Sequence, residues 1–152
     1  MRVALRPPLG SALAFAAACN VPVGAVARSF PAEGRAVFRA LVDDYQMFTV
    51  PHCAPDDVAA YNAANAARDA AFVRSLKGTA LLADYRKAVA GRARRDMQTV
   101  YECAGPPPPP GFTVADAQRK LDESRARHFS EGDKQFAKMV AQRDKLVAGS
   151  GK

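Results

Sequence analysis

Residues 53–103 read CAPDDVAAYNAANAARDAAFVRSLKGTALLADYRKAVAGRARRDMQTVYEC, with a Lys-Gly-Thr turn signal at the centre. Cys53 lies 25 residues before Gly78, and Cys103 lies 25 residues after it. Two antiparallel helices that reverse at Gly78 would bring both sulfurs to the open end of a hairpin, whereas one continuous helix would hold them roughly 75 Å apart. The spacing therefore predicts an antiparallel helical hairpin stapled by a Cys53–Cys103 disulfide, which would stabilise the fold by about 3–4 kcal/mol.

Two other interpretations of these cysteines stay open at this point. Cysteine packs well as a small apolar residue, so both sulfurs could be buried thiols in a reducing compartment. A zinc site could combine them with His52 and His128, but the closely spaced ligand pairs typical of zinc sites are missing. No metal is therefore expected.

Composition points to a single helical domain. The 152 residues are 49% hydrophobic, only 8% aromatic and free of tryptophan, which disfavours a strand-rich fold. We expect an all-α protein in which an amphipathic helix precedes the hairpin. The apolar residues of that helix recur at helical spacing, and Pro51 ends it; they are Val37, Phe38, Leu41, Val42, Tyr45 and Phe48.

The C-terminal third begins with five consecutive prolines, Pro106–Pro110. Such a run favours an extended, stiff segment rather than a helix. Thr113 and Asp116 have the spacing of a capping box and predict the start of a basic C-terminal helix, within which Gly132 suggests a bend or break. The predicted organisation is a helical domain over 28–105, a linker over 106–112, a helix over 113–148 and a disordered tail over 149–152.

Residues 1–27 differ from the rest because no acidic residue occurs before Glu33. Arg2 and Arg6 precede an uncharged run that ends in small residues at Ala25 and Ala27, as in a secretory signal. An organellar transit peptide, a retained membrane anchor and a lipoprotein signal at Cys19 are the alternatives. We expect a non-cytosolic, oxidising compartment, either the bacterial periplasm or the mitochondrial intermembrane space and inner membrane.

The motifs of common enzymes are missing. The sequence has no phosphate-binding loop, dinucleotide-binding turn or serine elbow, so no catalytic residue and no cofactor are expected. His128 is expected to be a core or half-buried histidine, although a haem bound by His128 and Met47 is a remote alternative. The adjacent carboxylates of Asp43-Asp44 and Asp56-Asp57 are expected to be solvated or to stabilise helix dipoles.

Binding surfaces are predicted on two helices. The C-terminal helix carries an apolar stripe with basic flanks, and the preceding helix carries a dense basic cluster. The predicted interaction residues are Leu121, Phe129, Phe136, Val140, Val147, Arg92, Arg94 and Arg95. These features favour a non-enzymatic structural or accessory subunit of a membrane-associated complex, whose partners are other protein subunits and an anionic membrane surface.

Nucleic acid is not an expected partner, because acidic residues are interspersed among the basic ones and no aromatic residues accompany them. The alternative function is that of an exported small helical binding protein, such as a periplasmic chaperone or inhibitor.

Overall fold

The computed structural model describes residues 29–51, 53–98 and 105–150. These residues form four helices and no strand, which confirms the all-α prediction. The helices are α1 (Ala32–Thr49), α2 (Pro55–Ser75), α3 (Ala80–Gln98) and α4 (Val114–Gly149).

Local sequence signals set the helix ends. Helix α1 ends two residues before Pro51, and Pro55 occupies the first turn of α2, where its missing N–H costs nothing. Gly78 has a φ of 74°, the left-handed conformation in which glycine is favoured, and it lies in the short segment between α2 and α3. At the start of α4, Thr113 accepts a hydrogen bond from the Asp116 N–H, and the Asp116 side chain accepts one from the Thr113 N–H.

Helix α1 is the centre of the bundle. Its most extensive contacts are with α4 and α3, and it also packs against α2. Phe38, Val42 and Tyr45 of α1 are almost completely buried. The other fully enclosed side chains come from the three partner helices and from Leu76, which directly follows α2. The largest of them are Tyr61, Leu76, Leu81, Met139 and Val58.

Helices α2 and α3, the two arms of the expected hairpin, pack mainly against other helices and not against each other. Helices α2 and α3 reverse around Gly78, but the large rings that join them, Phe72 and Tyr85, lie near this turn with centroids 6.1 Å apart. Away from the turn the two helices have few mutual contacts, and α1 fills the space instead. The reason is volume, since the α2 face that could meet α3 is rich in alanine. Most of these alanines are exposed, namely Ala59, Ala63, Ala64, Ala66, Ala67, Ala70 and Ala71.

The disulfide staple stays a prediction, because Cys103 lies outside the described residues. The leader over residues 1–27 and the metal-ligand candidate His52 lie outside them as well.

Helix α4 runs without interruption for 36 residues, so the predicted break at Gly132 is wrong. Gly132 is buried against the ring of Tyr61, and a Cβ added there would lie 2.7 Å from the Tyr61 Cζ and Oη atoms. The glycine permits a close approach of α4 to α2 instead of breaking the helix. Helix α4 extends to Gly149, one residue beyond the predicted end at 148, and residues 151–152 of the predicted tail lie outside the described residues.

The five prolines are exposed and lie outside the helices, with Gly111 at a φ of 82° in the turn that follows. Val37 was expected on the apolar face of α1, yet it is 44% exposed, because the buried face is centred on Phe38 and Tyr45.

We predict that Gly132→Ala lowers the free energy of unfolding by about 1–3 kcal/mol, because the new methyl group would overlap the enclosed Tyr61 ring. Gly91→Ala is the matched control, since a Cβ at Gly91 would meet only the end of the Arg95 side chain at 3.6 Å. Because alanine favours a helix more than glycine does, Gly91→Ala should raise the free energy of unfolding by up to about 1 kcal/mol. Urea unfolding followed by circular dichroism would measure both values, and equal effects at the two sites would contradict the packing role of Gly132.

Candidate interaction surfaces

A cluster of polar side chains around Arg68 fixes α4 against α1 and α2. One terminal guanidinium nitrogen of Arg68 donates to the hydroxyls of Tyr45 and Tyr61, at 2.9 Å each. The other donates to Asp133 at 2.8 Å, and the Arg68 Nε donates to Asp69 at 3.1 Å. The Tyr45 hydroxyl completes the cluster by donating to Asp69 at 2.7 Å. Arg68 thus connects three helices through charged hydrogen bonds, which are stronger than neutral ones.

Burial strengthens this cluster. The Arg68 guanidinium carbon lies 3.9 Å from the centroid of the Phe136 ring, a cation–π contact that shields one face of the charge. Burial and then the hydrogen bond to Asp69 raise the pKa of Tyr45 far above its ordinary value, so this hydroxyl stays protonated and remains a donor. The cluster therefore holds helices together, and its polar groups are engaged with one another.

His128 is half-buried beside this cluster, as expected. Its Nε2 lies 3.0 Å from the backbone oxygen of Phe48, and its ring meets the rings of Phe48 and Tyr61 edge to face. Through these contacts, the His128 imidazole attaches α4 to the end of α1.

The predicted apolar stripe of α4 divides into a covered and an uncovered part. Phe129, Phe136 and Val140 are half-buried and pack against the protein's own core, so they are not available as a free surface. The rings of Tyr45 and Phe72 each lie 5.6 Å from the Phe136 centroid and supply apolar contact area that the alanines of α2 lack. The remaining two members are exposed, Leu121 at 61% and Val147 at 38%.

We call residues 114–127 the α4 arm. Most of its side chains are exposed, including Val114 at 88%. Val114 and Leu121 are seven residues apart and lie on the same helix face as His128 and Gly132, which contact the bundle. The arm thus continues the packing face of α4 beyond the part that the bundle covers.

A salt bridge attaches the arm to the start of α2. The Arg125 Nε donates to the Asp57 carboxylate at 3.1 Å, and Asp57 is buried. Both Asp56 and Asp57 lie in the first turn of α2, as expected for dipole-stabilising carboxylates, but Asp57 is buried and paired instead of solvated. Beside this bridge lies a shallow groove of about 320 Å³. It is lined by Cys53, Ala54, Pro55, Asp56, Asp57, Leu121 and Ser124.

A second surface is a basic groove of about 350 Å³ between α1 and α3. Among the described side chains, the lining of this groove contains four cationic residues and one acidic residue, Asp43. Its lining residues are Arg39, Ala40, Asp43, Lys87, Ala88, Gly91, Arg94 and Arg95. Of the predicted basic cluster, Arg94 and Arg95 therefore belong to the groove, whereas the half-buried Arg92 is not part of its lining.

Asp84 fixes one wall of this basic groove. Its carboxylate is buried and accepts two hydrogen bonds from Arg35, at 2.8 and 3.1 Å, and one from Arg39 at 3.1 Å. Burial alone would raise the pKa of Asp84, but the hydrogen bonds and charges of Arg35 and Arg39 outweigh it and hold the pKa below its ordinary value of 3.8. On the other side, Arg95 forms an ion pair with Asp43.

A third groove, of about 480 Å³, separates the start of α1 from the end of α4. There the Gln142 amide donates to the backbone oxygen of Gly34 at 3.1 Å, and the Leu146 side chain packs where a Cβ of residue 34 would lie.

Within the described part of the chain, no three His, Cys, Asp or Glu side chains converge as a metal site would require. None of the helices described is both long enough and apolar enough to cross a membrane. The chain matches no family model, and neither the curated proteins nor the solved structures include a significant match.

We predict that Asp84→Asn weakens the dependence of stability on pH. Because the folded pKa of Asp84 is lowered, the unfolded chain binds its proton more readily. The stabilisation by this carboxylate is therefore complete above about pH 5 and is lost as the pH falls through 3.8 towards the folded pKa.

Urea unfolding at pH 6 and pH 3 would test this expectation. At pH 6 the free energy of unfolding of Asp84→Asn should be about 1–2 kcal/mol lower than that of the original protein. Between pH 6 and pH 3 the variant should lose less of its free energy of unfolding than the original protein does. Asp44→Asn is the control, because it removes the same charge from an exposed position on α1. A pH dependence of Asp84→Asn equal to that of the original protein would refute the assigned role.

Proposed function

We propose that the protein is a non-enzymatic accessory subunit of a membrane-associated complex, and that it binds another protein subunit through the α4 arm. The observation that carries this proposal is the continuity of one helix face. The face that His128 and Gly132 press into the bundle continues as Val114 and Leu121, which are exposed. A partner helix or groove could extend the existing packing along this face.

The arm is suited to binding because it is already ordered. The capping box at Thr113 and Asp116 satisfies helix N–H groups at its free end, and the Arg125–Asp57 salt bridge attaches it to α2. A pre-formed helix loses less conformational entropy on binding than an unfolded segment does. Burying Leu121 and Val114 in a partner would each contribute on the order of 1.5–3 kcal/mol.

The non-enzymatic part of the proposal is supported by how the polar groups are used. The densest polar cluster in the described residues is the one around Arg68, and its hydrogen bonds join helices instead of lining a cavity. Fixed cross-links of this kind are typical of a scaffold.

We further propose an oxidising compartment outside the cytosol, the periplasm or the intermembrane space, with Cys53 and Cys103 in a disulfide. Support comes from the leader-like sequence of residues 1–27 and from the equal spacing of Cys53 and Cys103 about Gly78. Disulfides of this kind are typical of oxidising compartments. Joining these two cysteines would connect the start of α2 to the chain that follows α3.

An exported helical binding protein, such as a chaperone or an inhibitor, is the second candidate function. The same arm would then bind a client protein transiently. A subunit is expected to co-purify with its complex in a constant one-to-one ratio, whereas a chaperone is expected to co-purify with several proteins in smaller amounts.

We predict that replacing Val114 and Leu121 together by glutamine removes the protein partner without unfolding the bundle. Affinity purification of the tagged full chain from its native cells, with quantitative mass spectrometry, would measure the partner. Val37→Gln serves as the control, since Val37 is an exposed apolar residue on α1, away from the arm. Partner retention by the arm variant, with an unchanged melting temperature, would refute the proposed surface.

We predict that non-reducing peptide mapping of the purified protein recovers the peptides of Cys53 and Cys103 as one linked species that separates on reduction. The third cysteine, Cys19, provides the contrast. A link between Cys19 and Cys53, or two free thiols, would contradict the proposed staple.

A further inference from the structure

The basic groove between α1 and α3 holds more positive charge than its own acidic residues neutralise. Lys87 and Arg94 form no ion pair with any residue in the described ranges. Arg95 is paired with Asp43, and Arg39 shares Asp84 with Arg35. Lys87 and Arg94 are therefore two cations without an ion-pair partner in the described ranges, and Asp84 neutralises only one of the two arginines that share it.

The geometry leaves room for an anion between these cations. Lys87 and Arg94 are seven residues apart on α3, so they project from one side of the helix about 10 Å apart along its axis. Gly91 lies between them, and a Cβ there would meet only the Arg95 side chain at 3.6 Å. Ala40 and Ala88 complete a floor of small residues. The Arg95 guanidinium is the side chain that lies next to Gly91, so the space between Lys87 and Arg94 is bordered by a further cationic group.

The paired arginines keep part of the groove in place. Arg39 donates through one terminal nitrogen to the buried Asp84. A guanidinium has five N–H donors, so a single hydrogen bond leaves others for a ligand. Planar guanidinium groups and lysine ammonium groups are the usual partners of phosphate oxygens.

We propose that this basic groove binds the phosphate group of an anionic phospholipid headgroup. The choice of a lipid rests on the membrane association proposed above and on the open form of the site. A soluble ligand is normally enclosed by a pocket that covers most of its surface, whereas a headgroup held in a bilayer needs only an open cradle. Cations near an anionic bilayer surface each strengthen binding by about fivefold.

Flotation of the purified full chain with vesicles would test this assignment. We expect binding to vesicles of phosphatidylcholine that contain about 30% phosphatidylglycerol, because the anionic lipid gives the vesicle a negative surface potential. We expect none with phosphatidylcholine alone. Because the groove is exposed, binding should weaken as the salt concentration rises.

A charge-matched pair of variants separates the groove from overall charge. The double variant Lys87→Gln, Arg94→Gln should bind anionic vesicles roughly 30-fold more weakly, about fivefold for each cation lost. The control Arg127→Gln, Lys138→Gln removes two exposed cations from α4 and should bind as the original protein does. Circular dichroism should show equal melting temperatures for both variants, since none of the four side chains is buried.

Three outcomes would overturn the proposal. Equal loss of binding in the two double variants would show that overall charge is responsible, and absence of binding to anionic vesicles would exclude the lipid. Saturable binding of soluble glycerol phosphate without vesicle binding would identify a soluble phosphorylated ligand instead. The assay contains no protein partner, so its failure is distinct from a failure of the arm to bind another subunit.

Discussion

The burial of one face of α1 is the interaction on which the rest of the structure depends. Phe38, Val42 and Tyr45 are nearly inaccessible to solvent, and each of the other three helices packs against this helix. Helix α2 could not replace it, because a surface of alanines offers little apolar area per residue, and the hydrophobic effect scales with that area. The chain therefore folds around its first helix in the described residues, and the segment around Gly78 acts as a reversal of direction.

Polar contacts then determine how α4 lies on this core. Apolar packing alone is non-directional, whereas the hydrogen bonds of Arg68 with Tyr45, Tyr61 and Asp133 fix the position of α4 along its length. Gly132 also fixes the position of α4, because it sets how closely this helix approaches Tyr61 of α2. These contacts fall in the second half of α4. The first half extends past the bundle as a consequence, which is why the arm exists.

The helices were predictable from the sequence and their packing partners were not, for a physical reason. Helix ends depend on local chemistry, so Pro51, Pro55, Gly78 and the Thr113 capping box could be read from short segments. Gly132 was misread, because its role depends on Tyr61, 71 residues earlier in the chain. The sequence predicted the apolar stripe of α4, but the aromatic rings that bury part of it lie on α1 and α2, far away in the sequence. In the basic cluster, the sequence indicated Arg94 and Arg95, whereas Arg39 and Lys87 joined them only once α1 and α3 were paired.

Helix α1 also keeps the two proposed binding surfaces apart. It meets α3 through Arg35 and Arg39, which hold Asp84, and it meets α2 and α4 through Tyr45 on another part of its circumference. A ligand in the basic groove would contact Arg39 of the first set, and a protein on the α4 arm would contact neither set. Because the two surfaces share only a rigid core, occupation of one need not disturb the other. An accessory subunit that contacts a membrane and a protein at the same time requires this kind of separation.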